Sequence, residues 1–136
     1  MYRNILVPVD MSHKGRGATM LEVAKRLADD GARITLLSIV EDVPSYVMVQ
    51  LPEHVIDEAK AIAHEELEAI AAEAGVEADI EVGRGRAHSA ILAHAERSGV
   101  DLIVIASHDP GLQDYLLGST AARVVRHANC TVLVIR

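Results

Sequence analysis

Five apolar runs rich in β-branched residues alternate along the chain with longer segments whose apolar positions recur at helical spacing. The runs predict strands at 5–9, 34–40, 78–82, 101–106 and 130–135. The periodic segments predict helices at 14–30, 56–74, 87–98 and 119–128. Gly31 and Gly75 stand where the first two helices are expected to end. The segment 41–53 has two prolines and no period, which predicts a long loop that acts as a lid or a partner surface.

Strands and helices that alternate in this way are typical of a parallel sheet with helices on both faces and right-handed crossovers. Ligands of such sheets bind beyond the carboxyl ends of the strands, where the strand order reverses. Asp10 follows the first strand, and Ala106 ends the fourth. If these two strands are neighbours at the reversal, the loops that follow them face each other across one crevice.

The composition favours a cytoplasmic α/β protein. The 136 residues are expected to form one domain, 1–136, and 50% of them are hydrophobic. The lack of Trp and Phe and the net charge of −7 argue against a general nucleic-acid or anionic-membrane surface. No apolar run approaches the roughly 20 residues of a membrane span, and the start Met1–Asn4 does not resemble a signal peptide. The single Cys130 fits a reducing compartment.

Three patterns point only weakly to chemistry. Ser107-His108-Asp109 contains the residue types of a hydrolase triad, but adjacent side chains at a strand end point apart. Gly83-x-Gly85 lacks the third glycine of a dinucleotide fingerprint, so a turn into the third helix is the better interpretation. The seven histidines form no metal-ligand motif. The sequence therefore predicts no catalytic residue and no metal site.

Gly118-Ser119 is the strongest local signal for a binding site. The pair begins the last predicted helix, where free backbone N–H groups attract an anion. Glycine permits close approach of a ligand, and Ser119 either caps the helix or donates its hydroxyl to a phosphate. Asp10 is expected in the same crevice, where it either accepts hydrogen bonds from a ribose or an amino group, or caps the first helix.

These motifs together resemble the universal stress protein family over essentially the full length of the chain. Tyr2–Asp10 resembles its first strand, and Gly85 before the third helix resembles one of its turns. Ile103–Arg136, with Leu116-Leu117-Gly118-Ser119 and Val124-Val125-Arg126-His127-Ala128, resembles its C-terminal signature. The resemblance implies a Rossmann-like α/β fold of the adenine nucleotide alpha hydrolase-like type. Its five-stranded parallel sheet would have the order 3-2-1-4-5, with two helices on each face.

The resemblance also implies a cofactor, because many members of the family bind ATP. AMP and ADP are alternatives, and Mg²⁺ is a companion ion. The adenine and ribose are expected against the strand ends, at Pro8, Val9, Asp10, Ile39, Ile105 and Ala106. The phosphates are expected to face His108, Gly111, Gly118, Ser119 and Thr120. No general base or arginine finger stands out, so binding with slow or no hydrolysis is predicted.

The chain departs from the ATP-binding pattern of the family, which is Gly, two residues, Gly, nine residues and then Gly-Ser or Gly-Thr. Ala106 and Asp109 stand at the two glycine positions, and eight residues separate Asp109 from Gly118. The form Ser107-His108-x-Pro110 resembles a nucleotide-binding branch of the family, in which Gly111 and main-chain N–H groups replace those glycines. Three functions stay open: a nucleotide-binding regulatory module of the stress response, a chaperone-like interaction protein without nucleotide, and a weak ATPase.

The last strand predicts an assembly. It is short and apolar, and an exposed sheet edge of that kind is a liability unless it is covered. Members of the family pair this strand across a two-fold axis, so the resemblance implies a homodimer through residues 131–135, with a tetramer as a further assembly. A protein partner that the sequence does not identify is also expected.

Overall fold

A computed structural model describes residues 1–41, 52–107 and 117–136. Within them, five strands form one sheet: β1 (Tyr2–Pro8), β2 (Ala28–Glu41), β3 (Asp79–Gly85), β4 (Leu102–Ala106) and β5 (Thr131–Ile135). Four α-helices accompany them: α1 (Gly17–Leu27), α2 (Glu53–Ala74), α3 (Ala87–Arg97) and α4 (Ser119–His127). A 3₁₀ turn at Met11–Arg16 precedes α1. Most of the predicted long loop, residues 42–51, lies outside the described residues.

The strand order is β3-β2-β1-β4-β5, and every neighbouring pair is parallel, which confirms the predicted topology. β1 is the central strand. The chain leaves β1 for helix α1 on one face of the sheet, and it leaves β4 for helix α4 on the other face. The strand order therefore reverses between β1 and β4, so a crevice is expected at their carboxyl ends.

Each face of the sheet carries two helices, as predicted. The first core lies between the sheet and helices α1 and α2, and it includes Ile5, Val7, Met20, Leu21 and Leu67. The second core lies between the sheet and helices α3 and α4, and it includes Leu6, Ile91, Ile103 and Val124. Successive residues of β1 point to opposite faces, and both faces are covered. An unbroken apolar run is the sequence signature of such a strand.

The predicted first helix, 14–30, is wrong at both ends. Its first residues belong to the 3₁₀ turn, and α1 ends at Leu27, before the predicted cap Gly31. Apolar residues at helical spacing continue to Ala28, but Ala28 pairs with Tyr2 of β1. Sheet pairing therefore overrides the helical periodicity. A register shift in this part of β1 accommodates residues 29–32, and Gly31 has a φ of 78° within that irregular segment.

β3 continues to Gly85, so the turn predicted at Gly83-x-Gly85 is wrong. Gly83 pairs with Ile39 of β2, and a Cβ at Gly83 would lie 2.9 Å from Cδ1 of Ile39. The close packing against Ile39 favours glycine at this position. The predicted helix end at Gly75 is confirmed, because Gly75 caps α2 with a φ of 65°.

Candidate functional site

A cleft of about 700 Å³ lies at the carboxyl ends of β1 and β4, where the strand order reverses. That volume is within the range of roughly 300–1,000 Å³ that is usual for small-molecule sites. Its walls come from the end of β1 and the 3₁₀ turn, the end of β2, the end of β4, and the first turn of α4. Open parallel sheets bind their ligands at this position.

Most of the predicted binding residues line this cleft: Pro8, Val9, Asp10, Ile39, Ile105, Ala106, Gly118, Ser119 and Thr120. His108 and Gly111 lie outside the described residues. The strand order explains the convergence, because it places the ends of β1, β2 and β4 side by side. Contact between these residues and a nucleotide stays a prediction.

One region of the cleft is apolar. Leu37, Ile91 and Ile105 are buried there, and Ile39 is half-buried beside them. Val9, a buried residue of the first core, also lines the cleft. Branched aliphatic side chains cannot satisfy the hydrogen bonds of a charged group. This region therefore suits a flat apolar ring better than a phosphate.

The first turn of α4 is polar and suits an anion rather than an apolar ring. Gly118 is the N-cap residue and provides no side-chain hydrogen bond, so the predicted capping role of Ser119 is wrong. The first amide with an intrahelical partner is that of Ala122, which donates to the Gly118 carbonyl at 2.8 Å. The first turn contains no acidic residue. Ser119, Thr120 and Ala121 line the cleft, so their amides and the positive end of the helix dipole form an anion-binding surface there.

Ser107 is a buried polar residue to which the sequence analysis assigned no binding role, although it belongs to the Ser107-His108-x-Pro110 form. It is 2% exposed and lines the cleft, and its Oγ has no hydrogen-bond partner among the described residues. A buried hydroxyl without a partner costs roughly 1–3 kcal/mol. Its carbonyl accepts a 2.7 Å hydrogen bond from the Gly118 amide. This bond fixes the start of α4 against the end of β4.

Two carboxylates, Asp10 and Glu41, also line the cleft. Oδ1 of Asp10 accepts a hydrogen bond of 2.9 Å from the Ser12 amide, so this oxygen stabilises the 3₁₀ turn. This contact favours a local capping role for that atom. Oδ2 has no partner in the described part of the chain, and it lies at the cleft wall as an acceptor for a hydroxyl or amino group.

Arg16 is a charged cleft residue that the sequence analysis missed. It ends the 3₁₀ turn, and its Nη1 lies 3.4 Å from the carbonyl oxygen of Ile135 at the end of β5. No periodicity or motif distinguishes an arginine in a short polar turn. The only local signal is that glycines stand on both sides of it, at Gly15 and Gly17.

A second polar cluster resembles a nucleophile–base–acid arrangement, but its residues do not line the cleft. His94 Nδ1 is 3.1 Å from Glu81 Oε2, and Ser98 Oγ is 3.5 Å from His94 Nε2. The Ser98 carbonyl accepts a hydrogen bond of 2.6 Å from Nδ2 of Asn4, so the cluster lies near the amino end of β1. His94 is 5% exposed, and burial lowers its pKa against the opposing effect of Glu81. These contacts support a role in packing rather than in catalysis.

The buried His94 predicts a pH dependence of stability. Its pKa is lowered by burial and by Arg97 and Arg33, so below the ordinary histidine value of about 6.5 the unfolded chain binds a proton that the folded chain does not. We therefore expect the free energy of unfolding to be constant above this pH and to decrease as the pH falls through it. Urea unfolding between about pH 8 and pH 5 measures the slope.

The variant His94→Gln should make that slope shallower by at most one proton, whereas His54→Gln at an exposed position of α2 should not. Part of the pH dependence should remain in His94→Gln, because the pKa of His88 is also lowered. The causes are desolvation and the neighbours Arg123, Arg86 and His127. An unchanged slope in His94→Gln would contradict the assignment.

Among the side chains that the structure describes in residues 1–41, 52–107 and 117–136, no group of three or more His, Cys, Asp or Glu could hold a metal ion. Within the same ranges, no helix combines the length and the apolar composition that a membrane crossing requires.

The sequence profile of the Universal stress protein family matches residues 1–136. The chain belongs to the universal stress protein family. Universal stress protein YxiE of Bacillus subtilis is 33% identical over 150 residues, and the match covers 100% of both proteins. Universal stress protein G of Escherichia coli O157:H7 is 30% identical over 146 residues, again over 100% of both.

Solved structures of universal stress proteins share the fold. UspA from Lactobacillus plantarum superimposes with a TM-score of 0.70 at 29% identity, over 99% of this chain and 98% of that one. A universal stress protein from Archaeoglobus fulgidus in complex with dAMP superimposes with a TM-score of 0.69 at 21% identity, over 99% and 98%. Two further structures of the family contain cAMP and, in the protein from Arabidopsis thaliana, AMP. At such low sequence identity, the three nucleotide complexes show that the fold is shared.

Proposed function

We propose that this universal stress protein binds an adenine nucleotide, ATP in particular, and acts as a regulatory module in the stress response. The main support for the proposal is that the uncapped start of α4 and an apolar pocket line the same cleft. An apolar ring and a phosphate chain are the two parts of a nucleotide, and the cleft offers one region for each. The dAMP, cAMP and AMP complexes of other family members support adenine as the base.

The proposed orientation follows from this division of the cleft. The adenine lies against Pro8, Val9, Asp10 and Ile39, and the ribose lies over Ile105 and Ala106. The phosphates face the first turn of α4 at Gly118, Ser119 and Thr120, where the backbone amides carry positive partial charge. His108 and Gly111 complete the phosphate side in this proposal. Ser107 gains a partner for its hydroxyl if a ligand oxygen approaches it.

Two measurements on the purified protein test the proposal. Mass spectrometry after denaturation identifies any nucleotide that co-purifies, and calorimetric titration with ATP, ADP and AMP, each with and without Mg²⁺, gives the affinities. We expect saturable binding at one site per chain and no comparable binding of CTP, whose smaller ring fills less of the apolar pocket. A protein that carries no nucleotide and gives no heat with any adenine nucleotide would contradict the proposal and favour an interaction protein without nucleotide.

We expect the bound nucleotide to regulate a protein partner rather than to be hydrolysed. That partner is still to be identified. The described part of the cleft offers an anion-binding surface and two carboxylates, and none of these groups is assigned a catalytic role. Cys130, a half-buried free thiol, fits the proposed cytoplasmic location because thiols stay reduced there.

We also propose that the protein forms a homodimer through β5, with a tetramer as a further assembly. β5 is an edge strand of the sheet, and its apolar residues from Val132 to Ile135 are only half-buried in the single chain. Val125 of α4, the helix that packs on β5, is 46% exposed. A second copy of β5 would cover the open backbone edge, and this support is independent of the nucleotide site.

A further inference from the structure

Arg16 is a cation on the part of the cleft wall that the 3₁₀ turn forms. It ends the 3₁₀ turn and directly precedes Gly17, the first residue of α1. A Cβ at Gly17 would lie 2.9 Å from Cγ2 of Ile70 in α2, so glycine allows the two helices to approach closely there. The backbone next to Arg16 is therefore held by core packing, and the side chain begins from a defined position.

A short chain of hydrogen bonds places the Arg16 guanidinium near the start of α4. Its Nη1 donates to the Ile135 carbonyl, which also accepts a hydrogen bond of 2.8 Å from the Ser107 amide. The Ser107 carbonyl in turn accepts the Gly118 amide at 2.7 Å. Two backbone hydrogen bonds thus link the carbonyl that holds the guanidinium to Gly118, the residue that precedes the anion-binding amides of α4. Both bonds involve Ser107, whose hydroxyl has no partner among the described residues.

Within the described part of the chain, the guanidinium uses only one of its hydrogen-bond donors. It has five N–H donors, and the contact with Ile135 is long at 3.4 Å. No carboxylate pairs with Arg16 among the described residues, although Asp10 and Glu41 line the same cleft. A guanidinium prefers a bidentate partner such as a phosphate, and it can keep the carbonyl contact through Nη1 while its other nitrogens bind.

Whether the cleft can bind one phosphate or several depends on the charges that line it. The helix end provides only about half a positive charge, which suits a single phosphate, and the two carboxylates of the cleft oppose any further anion. A di- or triphosphate brings more negative charge than α4 can compensate. Among the side chains that the structure describes, Arg16 is the only Lys or Arg that lines the cleft.

We propose that Arg16 binds the outer phosphates of the nucleotide and makes this site selective for nucleoside di- and triphosphates over monophosphates. The inference rests on the proposed nucleotide function and adds the ligand class to it. The phosphate nearest the ribose binds to the amides of α4. The outer phosphates extend toward the 3₁₀ turn and accept hydrogen bonds from the guanidinium.

Calorimetric titration of the intact protein with AMP, ADP and ATP tests this selectivity. Arg16→Ala should weaken ATP binding by about 10- to 100-fold, the usual loss for hydrogen bonds to a charged group, and should change AMP binding by less than about 3-fold. Arg16→Lys should fall between wild type and Arg16→Ala, because it keeps the charge but loses the bidentate geometry. Arg26→Ala, at an exposed position in the last turn of α1, removes the same charge outside the cleft and should bind like wild type.

The outcomes separate this inference from the function on which it rests. If wild type binds nucleotides and Arg16→Ala keeps the wild-type ratio of ATP to AMP affinity, whether both are lost equally or neither is lost, the inference is wrong and the proposed function stands. If wild type binds none of the three nucleotides, both are wrong. Thermal unfolding of each variant shows that the comparison is made between folded proteins.

Discussion

Replacing Ser119 by glutamate is expected to abolish ATP binding, with an affinity loss of more than about 100-fold, while the protein stays folded. Ser119 is the first residue of α4 and lines the cleft, so the new carboxylate would stand at the proposed phosphate position. Two unit charges about 4 Å apart repel each other by about 4 kcal/mol at the effective dielectric constant of a protein surface. A carboxylate at the start of a helix also satisfies the same amides and interacts favourably with the helix dipole. The thermal midpoint should therefore stay the same or rise.

Two control variants separate charge from other effects of this substitution. Ser119→Ala removes only the hydroxyl and should weaken ATP binding by no more than about 10-fold, because the backbone amides remain. Ser89→Glu introduces the same charge in the first turn of α3, at an exposed residue that does not line the cleft, and should leave the affinity unchanged. Equal ATP affinities for Ser119→Glu and wild type would place the phosphates elsewhere.

The strands and both cores follow from short-range sequence patterns. Runs such as Ile5–Val9 and Leu102–Ile105 have both faces covered by helices, so a continuous apolar run is the expected signature. The helices α3 and α4 and the strands β4 and β5 begin and end within one residue of their predicted limits. In these elements the local pattern and the tertiary packing favour the same structure.

The predicted boundary between α1 and β2 is wrong because the local pattern and the tertiary packing favour different structures there. The residues up to Ala28 keep the helical spacing of apolar positions, so a local pattern cannot detect that Ala28 pairs with Tyr2. This contact depends on a strand that is distant in sequence. The bulge at residues 29–32 also has no apolar alternation to reveal it.

The residues of the candidate site also divide into those that the sequence could predict and those that it could not. Asp10 and Gly118-Ser119 could be predicted because strand ends and helix starts have recognisable residue types. Ser107 and Arg16 could not, because their relevance lies in three-dimensional relations: a buried hydroxyl without a described partner, and a guanidinium held at the end of a strand that is 119 residues away in sequence. A single polar residue in a turn carries no pattern from which such contacts can be inferred.

The last prediction concerns the proposed dimer and depends on which backbone groups of β5 face outward. The Ser107 amide donates to the Ile135 carbonyl, so the backbone polar groups of Ile135 face β4. Backbone polar groups alternate sides along a strand, so those of Leu133 also face β4, whereas those of Val132 and Val134 face the open edge. A proline at position 134 would remove an outward donor and leave the pairing with β4 in place.

We expect Val134→Pro to convert the dimer to a monomer, with the dissociation constant raised by more than about 100-fold. In a two-fold pair the substitution removes an edge donor from both chains and inserts a proline ring into the new contact, where each lost hydrogen bond costs about 1 kcal/mol and the ring adds a steric penalty. Sedimentation velocity over a range of concentrations measures the effect. Val134→Ala keeps the outward N–H and should remain largely dimeric, whereas Leu133→Pro removes a donor to β4 and should lower the stability of the fold itself. A dimer of unchanged strength in folded Val134→Pro would show that the two chains associate through a surface other than the β5 edge.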